Sequence, residues 1–299
     1  MTRYWPLLLL LASMWGASYL FIKLAVEDIP PAAMTEVRVL AAGLLLTAYL
    51  AARVGARRAL GQIRYAWRAC LVLGIVNAAL PMTLVAWGEQ YIDSSIAAIA
   101  QASVPIFVAL LSLRFLPHEP LGPSRVLGLV VGISGVALIT GFHPDGGWWA
   151  VAGTLAIVLS SLSYASGGIF GQLQVHGTPG PVLAAGSMLV AAAVLVPFAL
   201  AEPPTVAPGA SAVVGLLLLI LLPTVIGQLM LFRILRLHGS RRLSLVTYLM
   251  PGFAIVYGAL ILGESVTVAA LGGLALILLG IALASGQRLF GWGPQERPA

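Results

Sequence analysis

Long runs of apolar residues, separated by short polar segments, extend along nearly the whole chain. A helix needs about 20 apolar residues to cross the ~30 Å hydrocarbon core of a bilayer. Strands of a membrane β-barrel would alternate between polar and apolar residues, and runs such as Val213 to Leu222 do not alternate. The pattern therefore predicts an all-α integral membrane protein with ten transmembrane helices. The predicted spans cover residues 4–26, 31–53, 68–89, 95–116, 123–141, 149–175, 181–200, 211–237, 243–262 and 267–287.

Composition supports this fold class. Hydrophobic residues make up 60% of the 299 positions and charged residues only 9%, against about 25% charged residues in an average soluble domain. Such a chain cannot cover a water-facing surface, which excludes a soluble globular enzyme, a disordered chain and a disulfide scaffold. Cys70 is the single cysteine, so an intrachain disulfide is excluded as well.

The distribution of charge predicts the orientation. If the N-terminus lies inside, all of the 16 Lys and Arg residues except Lys23 and Arg38 fall at the cytoplasmic face. Most acidic residues fall at the opposite face. We therefore expect a multi-pass protein of the bacterial inner membrane with both termini cytoplasmic, whose first apolar run is a retained helix rather than a signal peptide. The net charge of +6 then reflects topology and anionic lipid headgroups, and nucleic acid is not expected as a partner.

Two halves of the chain resemble each other. Five positions of the first half have the same residue at a corresponding position of the second half. The two members of a pair are 145 residues apart along the chain in three pairs and 146 residues apart in two. The pairs are Glu119 with Glu264, Gly128 with Gly273, Gly135 with Gly280, Ser94 with Ser240, and Pro105 with Pro251. Because five helices per half is an odd number, the second half must cross the membrane inverted relative to the first. We predict a 5+5 inverted repeat with halves at residues 1–145 and 146–288 and a short cytoplasmic tail at 289–299.

Two segments carry a family resemblance. Leu80–Phe107 (LPMTLVAWGEQYIDSSIAAIAQASVPIF) and Gly239–Glu264 (GSRRLSLVTYLMPGFAIVYGALILGE) resemble EamA members of the drug/metabolite transporter superfamily. The likeness covers nearly the whole chain and implies a ten-helix bundle that moves small metabolites, commonly as an exporter of amino acids. YddG-type exporters of aromatic amino acids are one such group. The motifs leave nucleosides, sugars and drugs open as cargo, since members with different cargo share them.

Four prolines lie near the middle of predicted spans, in equivalent helices of the two halves. They are Pro81, Pro105, Pro223 and Pro251. A proline inside a helix frees the carbonyl four residues earlier, and in lipid that carbonyl needs a partner in protein, water or ligand. The freed carbonyls belong to Asn77, Gln101, Leu219 and Thr247. We predict that these kinks line a central cavity and act as hinges for alternating access, although a proline that only bends its helix for packing would look the same.

Polar and aromatic residues at mid-depth are the candidate substrate contacts. The predicted set is Trp15, Tyr19, Asn77, Gln101, Tyr164, Gln228, Thr247 and Tyr248. Aromatic rings would stack on an apolar or aromatic cargo side chain, while amides and freed carbonyls would bind an ammonium or a carboxylate. Core packing explains each aromatic residue equally well.

Ionisable residues give no clear coupling ion, so facilitated diffusion and exchange both remain open. Arg38 is expected to extend outward or to pair with Glu89 or Asp93. Glu119 and Glu264 are expected to cap and pack the fifth and tenth helices. A pair of glycines, Gly128 and Gly132, favours close helix contact within a monomer or a homodimer.

Motifs for other functions are missing from the sequence. It holds no GxxxxGK[ST] for an ATP-driven pump, no HExxH and no Cys/His cluster with metal spacing, so no cofactor or metal is expected. A membrane-embedded enzyme would need a base near Ser160, Ser161 and Ser163, and no His lies at that depth. A helical sensor or assembly subunit is the third class. The sequence thus favours a secondary carrier of small metabolites, most of all amino acids, over an enzyme.

Overall fold

Helices form all of the regular structure in the residues that the computed structural model describes, which are 4–115, 122–141, 147–175, 177–238, 243 and 245–284. The α-helices are α1 (Tyr4–Val26), α2 (Pro31–Val54), α3 (Ala56–Tyr65), α4 (Trp67–Gly74), α5 (Leu80–Gly88), α6 (Ser94–Gln101), α7 (Val104–Phe115), α8 (Pro123–Gly141), α9 (Gly147–Gln174), α10 (Gly180–Ala201), α11 (Ala210–Leu219), α12 (Gly227–His238), α13 (Leu245–Tyr257) and α14 (Val268–Ala284). The predicted tail at 289–299 and the residue Glu119 lie outside the described residues.

Eight helical segments in this part of the chain are long and apolar enough to cross a membrane. Several of them join two α-helices across a short distorted segment, as the span Trp67–Gly88 joins α4 and α5. The spans predicted at 123–141 and 267–287 correspond to shorter apolar helices, Val126–Ile139 and Val268–Leu283. The protein is therefore a multi-pass membrane protein, and the full count of ten crossings stays a prediction.

Three π-helical segments interrupt the long helices. They are π1 (Ile75–Ala79), π2 (Ile220–Ile226) and π3 (Gly258–Leu262). Segment π1 ends just before Pro81, and π2 contains Pro223. A proline cannot donate to the carbonyl four residues earlier, so the backbone bonds shift to a wider turn. The span with Pro105 breaks differently, by a turn at Ala102 and Ser103 between α6 and α7.

The two ends of the bundle differ in charge. One end, here called the acidic end, carries Glu27, Asp28, Glu89, Glu202 and Glu264 in or beside its connections. Its connections contact one another: the carboxylate of Asp28 accepts a hydrogen bond from the amide of Gly209 at 2.8 Å. The opposite end, here called the basic end, carries Arg53, Arg57, Arg58, Arg64, Arg68, Arg114, Arg233 and Arg236. The structure thus gathers most of the basic residues at one end and most of the acidic residues at the other, while the orientation in the membrane stays a prediction.

Glycines bring α8 and α14 into direct backbone contact. A Cβ atom added to Gly135 would lie 2.8 Å from the carbonyl oxygen of Gly273. Gly280 packs equally closely, because its added Cβ would lie 2.6 Å from the carbonyl oxygen of Gly128. The small-residue contact predicted for Gly128 and Gly132 therefore forms within one chain.

Candidate functional site

A cavity of about 450 Å³ lies in the middle of the bundle. Its wall is mainly apolar, and α1, α2, α9, α10, α12 and α13 contribute to it together with the three broken spans around Pro81, Pro105 and Pro223. The polar side chains in the wall are Ser18, Tyr19, Arg38, Asn77, Gln101, Tyr164, Ser187, Thr224, Gln228 and Thr247. A few polar groups in an apolar wall are typical of a small-molecule site.

Most of the substrate contacts predicted from the sequence line this cavity. They are Trp15, Tyr19, Asn77, Gln101, Tyr164, Gln228 and Thr247. Tyr248 lies outside the cavity wall and packs against the buried cluster of Ile99, Ile106 and Ile277. Of the prolines, Pro105 and Pro223 line the cavity, whereas Pro81 and Pro251 are buried behind it. Seven of the eight predicted contacts thus lie at one cavity, and their role in binding stays a prediction.

Trp15 is fixed in the cavity wall by the kink at Pro223. Its indole nitrogen Nε1 donates a hydrogen bond to the carbonyl oxygen of Pro223 at 3.1 Å. Gly227 makes this contact sterically possible, because an added Cβ would lie only 2.8 Å from that indole nitrogen. Trp15 thus holds α1 against π2 with its polar atom already satisfied. Only its ring is then available to a cargo molecule.

Arg38 corrects the expectation that it extends outward or pairs with Glu89 or Asp93. Its side chain is only 7% exposed, and its Nε atom donates to the hydroxyl oxygen of Thr224 at 2.9 Å. Its two terminal nitrogens make no hydrogen bond to any residue in the described part of the chain, and Arg38 is one of the residues that line the cavity. In the sequence, the signal for a functional role of Arg38 is its charge inside a membrane span. Its partner, Thr224, lies far away in the chain.

Thr224 also corrects the expectation for the carbonyl of Leu219. The kink at Pro223 does free that carbonyl, and the Thr224 hydroxyl donates to it at 2.7 Å. The carbonyl is therefore satisfied by a neighbouring side chain and needs no partner from a solute. The same hydroxyl oxygen receives the Arg38 hydrogen bond, so the kink positions a guanidinium group instead of offering a carbonyl.

Gln101 and Asn77 both contact α9, at Ser160 and Gly167. The Gln101 side-chain oxygen accepts a hydrogen bond from the Ser160 hydroxyl at 3.2 Å, while its amide nitrogen is buried without an acceptor among the described residues. Asn77 packs on Gly167, where an added Cβ would lie 2.9 Å from the Asn77 side-chain oxygen. Both amides are thus held at the cavity wall by α9, which supplies the serine and the glycine.

The cavity is closed at the acidic end. Ile22 and Val85 line it there, and both are buried. Just beyond them, the ammonium group of Lys23 donates to the carbonyl oxygens of Glu89 and Ile92 at 2.7 and 2.9 Å. Glu264 corrects the expectation that it caps the tenth helix: its carboxylate accepts from the amides of Ser94 and Ser95 at the start of α6, at 2.7 and 3.0 Å. The first contacts join α1 to the connection before α6, and the second join α6 to the segment after π3. Together they are here called the seal.

The lining residues nearest the basic end are partly exposed. They are Leu73, Leu183, Leu231 and Phe232. The cavity wall is thus more exposed toward the basic end than toward the acidic end, where Ile22 and Val85 are buried. Among the described residues, no group of three or more His, Cys, Asp or Glu side chains could hold a metal ion.

Comparison with known proteins matches both halves of the chain to one family. The model of the EamA-like transporter family matches residues 3–141 and again residues 151–286. The uncharacterized inner membrane transporter YedA of Escherichia coli K12 is 29% identical over 292 residues, which cover 95% of this chain and 91% of that protein. An uncharacterized transporter of Archaeoglobus fulgidus is 24% identical over 282 residues, covering 93% of this chain and 97% of the relative.

A solved structure shares the fold. It superposes with a TM-score of 0.66 over 94% of this chain and 96% of its own length, at 22% sequence identity. At that identity the likeness concerns the arrangement of the helices. It adds no information on cargo.

Proposed function

Because the chain belongs to the EamA-like transporter family, we propose that it is a secondary carrier that exports small zwitterionic metabolites, and specifically amino acids. The observation that carries the proposal is the buried Arg38 in the cavity wall, whose terminal guanidinium nitrogens lack a hydrogen-bond partner among the described residues. A guanidinium group binds a carboxylate through two parallel hydrogen bonds. An uncompensated buried cation is costly, so a carboxylate in the cargo gives Arg38 its missing counter-charge.

The other half of a zwitterion finds partners in the same cavity. Tyr19 and Tyr164 present aromatic rings to it, and ring faces attract an ammonium group. The side chains of Asn77, Gln228 and Thr247 add polar atoms to the wall. The cargo side chain would pack against Met82, Met188 and Met250, whose flexible thioethers adapt to different shapes. Aromatic amino acids fit this mixture of methionines and rings well.

We propose export as the direction of transport, as the family resemblance implies, and the difference between the two ends of the cavity supports it. In the proposed topology the basic end faces the cytoplasm of a bacterial inner membrane, and the cavity wall is more exposed toward that end. The conformation described is then the loading state of an exporter. Alternating access would open the seal around Lys23 and Glu264 and close the basic end, with the two predicted inverted halves, 1–145 and 146–288, moving relative to each other.

Proteoliposomes test the cargo. We expect labelled amino acids to be transported, and nucleosides and sugars to be excluded because they lack a carboxylate for Arg38. Transported cargo should also be recovered chemically unchanged, which separates a carrier from a membrane-embedded enzyme. Transport of nucleosides or sugars at the rate of amino acids would overturn the assignment of cargo.

The role of Arg38 is tested with cargo analogues and a matched variant. Methyl esters and decarboxylated amines should fail to compete with amino acids in the unmodified protein. Arg38→Met should raise KM about 10- to 100-fold, the equivalent of about 1.5–3 kcal/mol for a hydrogen bond to a charged group. Arg53→Met is the control, because Arg53 lies exposed on the same helix. An Arg38→Met protein with the KM of the unmodified protein would contradict the proposal.

A further inference from the structure

The side chain of Glu89 is a buried carboxyl group, and burial is unfavourable for its charged form. It follows the last residue of α5, and its side chain is 0% exposed. Both carboxylate oxygens lack a hydrogen-bond partner among the described residues. An ionised carboxylate without partners is among the most costly groups to bury, and such a group takes up a proton instead. The structure around Glu89 therefore fits a neutral carboxylic acid.

Charged neighbours approach Glu89 from several elements, and each of them bonds elsewhere. On α1, Lys23 donates to the backbone carbonyls of Glu89 and Ile92 rather than to the carboxylate. On α2, Arg38 donates to Thr224. From the segment after π3, Glu264 brings a second negative charge and accepts from the amides of α6. Tyr19 adds a phenol from α1, and α9 packs through Gly153 against Gly88, the residue before Glu89.

The balance of these effects favours the protonated form. Burial raises the pKa of the Glu89 carboxyl well above its usual range; Lys23 opposes that rise, Glu264 adds to it and Arg38 opposes it. If the acidic end opened to water, the desolvation would disappear and Lys23 could turn to the carboxylate, so the pKa of Glu89 would fall. The closed conformation therefore binds the proton more tightly than an open one.

The backbone of Glu89 contacts both the closed end of the cavity and α1. Its backbone amide donates to the carbonyl oxygen of Val85 at 3.0 Å, one turn along the helix, and Val85 lines the sealed end of the cavity. Its backbone carbonyl is one of the two that hold Lys23. A change of charge on this side chain thus acts directly on the contact between α1 and the connection at residues 89–93.

We propose that Glu89 is a proton-binding site whose occupancy controls the acidic end, which is closed when the carboxyl is protonated and opens when it is ionised. The step transfers one proton between bulk water and a carboxylate oxygen, and no other bond changes. Its linkage has a definite sign. Because the pKa is higher in the closed conformation, protonation stabilises closure below the open-state pKa, and this stabilisation is lost as pH rises through the closed-state pKa. An acidic medium at that face thus holds the carrier in its loading state.

Hydrogen–deuterium exchange of the full-length protein in detergent tests the site without any cargo, so its outcome is independent of the proposed transport function. Amides of residues 89–101 should be protected at about pH 5 and should exchange faster at about pH 8, beyond the change in intrinsic rate. Glu89→Gln mimics the neutral acid and should stay protected at both values. Glu202→Gln, which removes an exposed carboxylate at the same end, should behave as the unmodified protein does.

Two further measurements keep the proposal open to refutation if Glu89→Gln fails to fold. Glu89→Asp retains an acid and should retain the pH response with a displaced midpoint. The infrared spectrum of the unmodified protein at neutral pH should show the carbonyl stretch of a protonated carboxylic acid. Unchanged protection of residues 89–101 across the pH range, a pH response that persists in Glu89→Gln, or an infrared spectrum without a protonated acid would overturn the proposal.

Discussion

The hydroxyl of Thr224 joins Arg38 to the kink at Pro223. Its oxygen accepts a hydrogen bond from Arg38 Nε at 2.9 Å and its proton goes to the carbonyl oxygen of Leu219 at 2.7 Å. That carbonyl is the one to which Pro223 cannot donate. One break in a helix therefore satisfies its own backbone and orients a buried cation toward the cavity. Kink and guanidinium group act here as a single structural unit.

Thr224→Val removes this hydroxyl while keeping the shape of the side chain. We expect KM for amino acid transport to rise about fivefold, because a hydrogen bond of about 1 kcal/mol no longer fixes Arg38, while kcat changes less. Thr47→Val is the matched control, since the hydroxyl of Thr47 bonds only to its own helix, at Gly43. Equal KM values for the two variants would show that Thr224 does not position Arg38.

Gly167→Ala tests the packing of Asn77 on α9. The new methyl group would lie 2.9 Å from the side-chain oxygen of Asn77, so that side chain must shift. Overpacking of this kind costs about 1–3 kcal/mol, and we expect both weaker transport and a lower Tm in detergent. Gly168→Ala provides a neighbouring control, because nothing lies within 4 Å of its added Cβ. If the two alanine variants transport equally well, Asn77 does not depend on Gly167.

The positions of the helices could be predicted from the sequence, whereas the identity of the polar partners could not. The span predicted at 31–53 appears as Pro31–Val54, because a run of apolar residues in lipid leaves the backbone no alternative to a helix. Pro223 marked the position of the distortion at Ile220–Ile226, but nothing in the sequence showed that it takes the form of a π-helix. The pairing of Arg38 with Thr224 joins residues 186 positions apart, so it depends on how two helices pack and not on spacing along either of them.

The cavity, too, could be predicted from the sequence only in part. Prolines and polar residues at mid-depth indicated which helices surround it, and Asn77 and Gln101 do line its wall. The sequence also suggested that freed carbonyls would meet the cargo, and for Leu219 this is wrong because a threonine next to the proline supplies the donor. Glu89 looked like an ordinary residue of an outer connection. Only the packing around it shows that its carboxylate is fully buried.

Pro105→Ala tests whether the break between α6 and α7 is a hinge. An alanine restores the missing amide and favours a continuous helix, so the span should bend less easily. We expect kcat for transport to fall several-fold with little change in the Kd of the cargo. The control is Pro197→Ala, because Pro197 lies inside α10 but away from the cavity wall. Wild-type turnover in a well-expressed Pro105→Ala protein would refute the hinge.

Gly280→Ala tests the contact between α8 and α14, which lies away from the cavity. Its new methyl group would lie 2.6 Å from the carbonyl oxygen of Gly128, and backbone cannot move aside as a side chain can. We expect a clear fall in Tm, measured by thermal unfolding in detergent, because the two helices must separate and lose dispersion contacts along their length. Gly272→Ala lies on the same helix but meets only a Leu138 methyl group at 3.6 Å, an ordinary contact. Its Tm should therefore stay within about 1–2 °C of the unmodified value. If Gly280→Ala were as stable as Gly272→Ala, the two helices would not be held together by the close approach of their backbones.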